Sequence, residues 1–528
     1  MHHGTSTVIT RVLQGKREAL DDLLSSAANA RRELFAGVPG LHFARWALID
    51  LGPRTSGMGP ADPRLIFGAD AVLDTRTTKP DALDRELLHA LVRWLTTLHE
   101  RGADAAHLFD AIYRNCAGYP EAGLAEPEAV EDYLVGHRAP AITRHVDFAY
   151  RFQSPEDLRA SVDALRAVNT HLDTRAPLLA ETPWRGRPRD MPDLHHELRD
   201  VARAAATNLD DPGWRERLAT ARESAAVSTL GYAFYRYAWA LPGIYLLKLR
   251  MWLGARNRPE SATSSQAHAS ESAPPIPPMS DAMVQNPMVH VARIVDDPGA
   301  LALARLALRS VNLRLRRYVV GLNHVQTIHC ARWLVYSDED GRGPHHLIFF
   351  SNYDDTWESY IDAFVDHADV RGFLELIWSR TEGFPAKSRG IDPTMPKPRL
   401  PVEPFKAWLR AHEVPTRVWY SAALDGTPRQ RHSVLLLHNA LRLRELLTRE
   451  RMDQPVKDRG ARRALAAFLS RGACDPGRPL LRPMALVIHS MSALLTSLRH
   501  GRREPRRKHH ANFRAEPSHV APMEHAPA

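Results

Sequence analysis

Cysteine is nearly missing from this chain: three residues, Cys116, Cys330 and Cys474, occur in 528, and no two are close enough for a CxxC pair or a metal-ligand spacing. A disulfide framework is therefore not expected, and a reducing compartment fits. The first twenty residues, MHHGTSTVITRVLQGKREAL, lack the uninterrupted apolar core of a secretory signal and run into a polar helical pattern, so the expectation is that the folded domains stay in the cytoplasm. No HExxH, P-loop or GxSxG pattern is present, so none of those chemistries is announced by motif. Lysine is scarce beside arginine; with frequent alanine and proline, this reads as the mutational bias of a GC-rich bacterial genome before it reads as function.

What is present suffices for ordinary globular cores, since 44% of residues are hydrophobic and the length allows two or three domains. The formal charge of +9 suits an anionic partner, although Arg499 to Lys508 alone holds six basic residues against Glu504. The basic stretches 248–258 and 499–508 are not interleaved with stacking aromatics, so no specific nucleic-acid partner is expected. Each follows directly on an apolar segment, an order that favours an anionic membrane surface.

Short strings recur in the same order in the two halves. Leu41-His42-Phe43-Ala44-Arg45-Trp46 answers Ile328-His329-Cys330-Ala331-Arg332-Trp333, and each continues into a strand-like run and a second strand, Arg64 to Phe67 in one half and His346 to Phe350 in the other. Helical periodicity follows at Asp81 to Leu98 and Trp357 to Asp366, then a Gly-aromatic-Pro turn at Gly118-Tyr119-Pro120 and Gly383-Phe384-Pro385. A further strand, into Val146 to Tyr150 or at Thr416 to Tyr420, leads to a closing helix, Pro155 to Leu172 or Pro428 to Leu447. Sheets covered by helices on one face need a partner for the other. The expected fold is α+β: two ferredoxin-like repeats forming an intramolecular dimeric α+β barrel, with additional peripheral helices.

The expected organisation is an N-terminal helical segment (1–38), repeat 1 (39–173), a helical connector (174–258), a disordered linker (259–282), a helical lead-in (283–322), repeat 2 (323–448), C-terminal helices (449–498) and a basic disordered tail (499–528). Within the connector, 225–247 carries one charge, Arg236, and is long enough to cross a bilayer. Arg236, Pro242 and five interspersed Tyr and Trp residues also suit a buried helix pair or an interfacial anchor. Together with the apolar 480–498, it makes association with the inner face of a membrane the expectation. Protein partners are not indicated.

The doubled His-x-Ala-Arg-Trp is the most conspicuous candidate for chemistry. Strand alternation turns His, Ala and Trp to one face and Arg to the other. Facing an enclosed space, His329 and Trp333 become ligand contacts; otherwise His and Trp fill a core while Arg pairs with a carboxylate. Ser351 to Tyr360, SNYDDTWESY, adds Tyr353 and Trp357 as ligand contacts and Asp354 or Asp355 as a general acid or base beside Arg332. The other reading of that segment is a helix cap, with Asp355 or Thr356 at its start. No metal site is assigned; His438 on the closing helix is the candidate axial ligand if haem is bound.

On IHCARWLVYSD, HLIFFSNYDDTWESYIDAF, TEGFP and VPTRVWYSA, the second half resembles a family of uncharacterised, membrane-associated bacterial proteins with His-Phe-Ala-Arg-Trp, Ser-Asn-Tyr-Asp-Gly-Ser-Trp-Glu-Ser-Tyr and Gly-Phe-Pro motifs. Val284-Gln285-Asn286-Pro287-Met288 shares the resemblance, and Asp355-Thr356 departs from the Gly-Ser of that pattern. The resemblance implies a hydrophobic segment between two halves but no activity. A more distant similarity is to dye-decolorising haem peroxidases, also built of two ferredoxin-like halves; their Gly-x-x-Asp-Gly motif is missing. The function expected is that of a membrane-associated tandem barrel enclosing a small-molecule site. The alternative is a haem-dependent peroxidase-type oxidoreductase with Arg332 and Asp354 on the distal side.

Overall fold

The computed structural model describes residues 2–214 and 285–448, apart from short gaps of which 52–61, 182–190, 316–326, 338–343, 367–373, 386–401 and 423–432 are the longest. The expected anchor 225–247, the linker 259–282 and the C-terminal segments 449–528 lie outside those residues. Among the described residues, no helix is long and apolar enough to cross a membrane.

The first half runs β1 (His2–Arg11), α1 (Arg17–Phe35), β2 (Leu41–Asp50), β3 (Pro63–Leu73), α2 (Pro80–Glu100), α3 (Asp104–Tyr113), α4 (Pro127–Gly136), β4 (Thr143–Val146), α5 (Pro155–Glu181) and α6 (Met191–Ala205). The second runs β5 (Gln285–Arg293), α7 (Ala300–Leu315), β6 (Ile328–Tyr336), β7 (His346–Asp354), α8 (Trp357–Asp366), α9 (Val402–Ala411), β8 (Thr416–Ser421) and α10 (Val434–Thr448). Two of these elements correct the sequence reading. Strands β1 and β5 stand where helical segments 1–38 and 283–322 were expected to begin, so each hairpin is preceded by a strand and a helix. β1 escapes notice because its buried positions, on both faces of the strand, include Thr5, Ser6, Thr7 and Thr10, which are not apolar.

The strands form two four-stranded antiparallel sheets, ordered β1-β3-β2-β8 and β4-β6-β7-β5. The expected closed barrel is not formed. Instead the sheets pack face to face through Ile9, Ala47, Ile49 and Ile66 from one and Val289, Leu334, Ile348 and Phe350 from the other. Each sheet takes its fourth strand from the opposite half: β8 lies on β2, pairing Phe43 with Ser421, and β4 lies on β6, pairing Val146 with Cys330.

The outer faces follow from alternation. Trp46 and Phe67 point away from the sheet interface into a core shared with α1 to α4, and Trp333 and Phe349 do the same beneath α7 to α9. On α2, Leu83, Leu87, Leu88, Leu91, Leu95 and Leu98 supply the buried stripe, and Pro80 opens the helix where its missing N–H is not needed. A third core joins α5, α6 and α10 at the sheet ends around Phe43, Cys330 and Trp419. Both Gly-aromatic-Pro turns dock on the end of a half's first strand, through bridges Val12–Cys116 and Ile294–Thr381, with Gly118 and Gly383 in the left-handed region at φ 76° and 68°.

Candidate functional site

The two His-x-Ala-Arg-Trp strands each break their alternation at the histidine. Register shifts fall between Leu41 and Phe43 in β2 and between Ile328 and Cys330 in β6, which is the mark of a β-bulge. Beyond the bulge, Ala and Trp face the helices and Arg faces the opposite sheet. The bulged histidines do not share the tryptophan face, which corrects the expectation that His, Ala and Trp point together. They turn to the sheet ends, where both rings meet Tyr150: centroids lie 5.0 Å apart for His42 and 5.3 Å for His329.

Around Tyr150 the polar groups form a directional chain. The Ser421 hydroxyl donates to Gln285 Oε1 at 2.9 Å, and Gln285 also bonds the Tyr150 phenol. Tyr150 Oη and His329 Nδ1 are 2.7 Å apart, and His329 Nε2 and Asp354 Oδ1 are 2.6 Å apart. Asp354 Oδ2 accepts the Val434 backbone N–H at 2.7 Å, at the first turn of α10. In the tautomer whose Nε2–H donates to Asp354, His329 Nδ1 accepts from the phenol, and the donors then run one way, from Ser421 to a carboxylate held at a helix N-terminus. All five residues are buried, none more than 5% exposed. Burial, then the nearby Asp354 charge, pushes the Tyr150 phenol well above its ordinary range, so it carries its proton at neutral pH.

Tyr150 and Ser421 line a cavity of about 10 Å³ together with His42, Phe43 and Arg159, room for roughly one water. His42 donates through Nε2 to the Gln153 carbonyl at 2.9 Å if that nitrogen carries the proton. Burial lowers its pKa to about 3, so at neutral pH it is an uncharged ring with Nδ1 as acceptor. A second cavity of similar size, bounded by Trp333, Phe349, Trp378 and Phe405, has an apolar lining.

Of the residues singled out from sequence, His329 and Asp354 are brought together. Arg332 is not with them: its Nη1 crosses to the other sheet and donates to Asp70 Oδ1 at 2.8 Å and Thr5 Oγ1 at 2.6 Å. Arg45 makes the reciprocal crossing, with Nη1 on the Met288 and Ser351 carbonyls and Nη2 on Asn352 Oδ1. Trp333 stacks on Phe349 at 4.5 Å and Tyr353 on Tyr360 at 4.1 Å, both in the helix-covered core. Trp357 lies in that core too, with the Arg410 guanidinium 3.9 Å from its ring centre. Asp355 is exposed and joins the cap of α8: Thr356 Oγ1 accepts the Ser359 N–H at 3.2 Å, and Asp355 Oδ2 accepts the Ser359 hydroxyl at 3.2 Å. The cap reading of that segment therefore holds for Asp355 and Thr356.

Asp355 sits at φ 72°, the conformation that suits the glycine of the resembling motif and costs an L side chain about 1–2 kcal/mol. Tyr150, Gln285 and Ser421 lie in three separate segments without a shared spacing signal, and pattern reading passed over them as site residues.

The described residues do not fit haem. His438 Nε2 is already paired with Asp147 Oδ1 at 2.7 Å; the attraction of Asp147 overrides burial and raises its pKa, favouring imidazolium over the neutral ring an iron ligand requires. Arg332 and Asp354, the two expected distal groups, serve different partners. Scanned against family models, curated proteins and solved structures, the chain matches none.

Proposed function

We propose that the protein binds a small organic molecule at the sheet ends, where the Tyr150 cavity, sized for about one water when empty, widens to admit it, and exchanges a proton with it. The observation that carries this reading is the buried Tyr150–His329–Asp354 relay, with separations of 2.7 and 2.6 Å, ending on a cavity wall. The arrangement follows the logic of a hydroxyl activated by a base that a carboxylate orients. When Tyr150 acts as a base, its proton passes to His329 Nδ1, and Asp354 stabilises the imidazolium that forms. Gln285, fixed by Ser421, holds the phenol oxygen in place. The neutral His42 ring adds a wall that offers hydrogen bonding without charge.

In this reading the two halves are ferredoxin-like copies, and the exchange of β4 and β8 is what brings Tyr150, Gln285, His329 and Ser421 to one sheet end. Association with an anionic membrane surface through 225–258 and 480–508 belongs to the same proposal and rests on their composition. The test is native mass spectrometry of the full chain, as isolated and after exposure to a panel of small carboxylic acids, ketones and phenols. A bound mass present in the wild type and lost in folded Tyr150→Phe and His42→Gln variants supports the reading. No bound mass under any of these conditions overturns it and leaves the relay a packing network.

A further inference from the structure

The reciprocal arginines leave an uneven charge between the sheets. Arg45 is 1% exposed and Arg332 3%. The strand registers make Asp70 and Asn352 corresponding positions: Asp70 stands opposite Phe43 on β2, and Asn352 opposite Cys330 on β6. Arg332 thus reaches a carboxylate where Arg45 reaches an amide. Asp70 is ionised, because Arg332, then His3 and Arg45, outweigh the effect of burial and hold its pKa low. Cys330 and Tyr360, the other acidic groups felt by Arg45, are kept neutral, since burial pushes both upward. Burial, then the charge of Arg332, lowers Arg45 only to about 10, so its guanidinium is charged at neutral pH, as guanidiniums in proteins are in general. Among the described residues, two buried cations face one buried anion.

The hydrogen bonding is incomplete in the same place. Among the described residues, Arg45 Nε and Arg332 Nε and Nη2 make no hydrogen bond although they are shut off from solvent. The Phe350 ring lies beside both, 5.6 Å from the Arg45 guanidinium carbon and 4.7 Å from that of Arg332. Gly68, at the position corresponding to Phe350, has no side chain, and Arg332 Nη2 lies where its Cβ would stand. Ring faces compensate buried charge only in part, and a buried ion without its counter-charge is strongly destabilising.

We propose that Arg45 and Arg332 together bind one small monovalent anion of halide size between the two sheets. The deficit of a single charge sets the valence, and the unpartnered N–H groups supply the donors. The site is separate from the Tyr150 cavity, and the proposal does not depend on the function suggested there.

The test follows unfolding of the full chain in sodium chloride, sodium bromide and sodium gluconate at equal ionic strength, for the wild type and for Asn352→Asp. Above its dissociation constant, each tenfold rise in free halide should raise the wild-type folding constant about tenfold, while gluconate should not. Asn352→Asp gives Arg45 the carboxylate that Arg332 already has, so it should stay folded in gluconate and lose the halide dependence. Equal wild-type stability in all three salts overturns the proposal, as does an Asn352→Asp protein that keeps the full halide response. Should that variant not fold, anomalous diffraction from wild-type crystals grown in bromide decides: a peak between Arg45 and Arg332 supports the site, and none there refutes it.

Discussion

Mild acid should unfold this protein in part through one residue, His42. Its ring is fully buried, and its pKa falls from 6.5 to about 3, mainly because burial disfavours the imidazolium. Between those values the unfolded chain binds a proton that the folded chain refuses, so stability is complete above about pH 6.5 and falls as the pH drops toward 3. At pH 5 the unfolded imidazole is almost wholly protonated and the native one almost wholly neutral. With 1.36 kcal/mol per pKa unit, the penalty there is about 2 kcal/mol, or roughly thirtyfold in the folding constant. The perturbation is His42→Gln, which keeps an N–H able to reach the Gln153 carbonyl but cannot titrate. Urea unfolding at pH 7 and pH 5 measures the difference: the wild type should lose about 2 kcal/mol more than the variant over that interval. An equal loss in both proteins would refute the argument and assign the acid sensitivity to other groups.

Three further outcomes are expected. Asp355→Gly should stabilise by about 0.5–1 kcal/mol, because glycine relieves the left-handed backbone at the cost of some chain entropy; a clear loss in chemical denaturation would mean that the carboxylate's bonds to Thr356 and Ser359 outweigh the strain. The halves 1–224 and 283–476 should each fail to give a cooperative unfolding transition alone and recover one when mixed, since each sheet lacks its fourth strand without the other half; independent cooperative folding of either half would contradict the exchanged pairing. The full chain should sediment with vesicles containing anionic lipid and be released by high salt or by deletion of 225–258; equal sedimentation with neutral vesicles would remove the electrostatic basis of that reading.

Much of the local architecture was legible because it depends on neighbours in the chain. The hairpin strands at 41–50 and 63–73, the matching pair in the second half, the Gly118 and Gly383 turns and the Thr356 cap all follow from patterns a few residues long. The doubled His-x-Ala-Arg-Trp also pointed to the right strands. It misled about the histidines, since a one-residue bulge reverses which face a side chain takes and leaves no signature in the residue types. β1 was hidden for a different reason: Thr and Ser fill buried positions there that an apolar pattern would have advertised.

What the sequence determined by itself was a mixed α+β chain with two sets of strands and helices in the same order, because periodicity and turn chemistry are local. Only the tertiary structure decided which half each fourth strand joins, and with that which polar groups meet. Tyr150 and His329 are 179 positions apart, and Arg332 and Thr5 are 327 apart. Such contacts arise from how sheets pair and stack, and a buried carboxylate, imidazole or guanidinium acquires its charge state from that environment rather than from its neighbours in the chain.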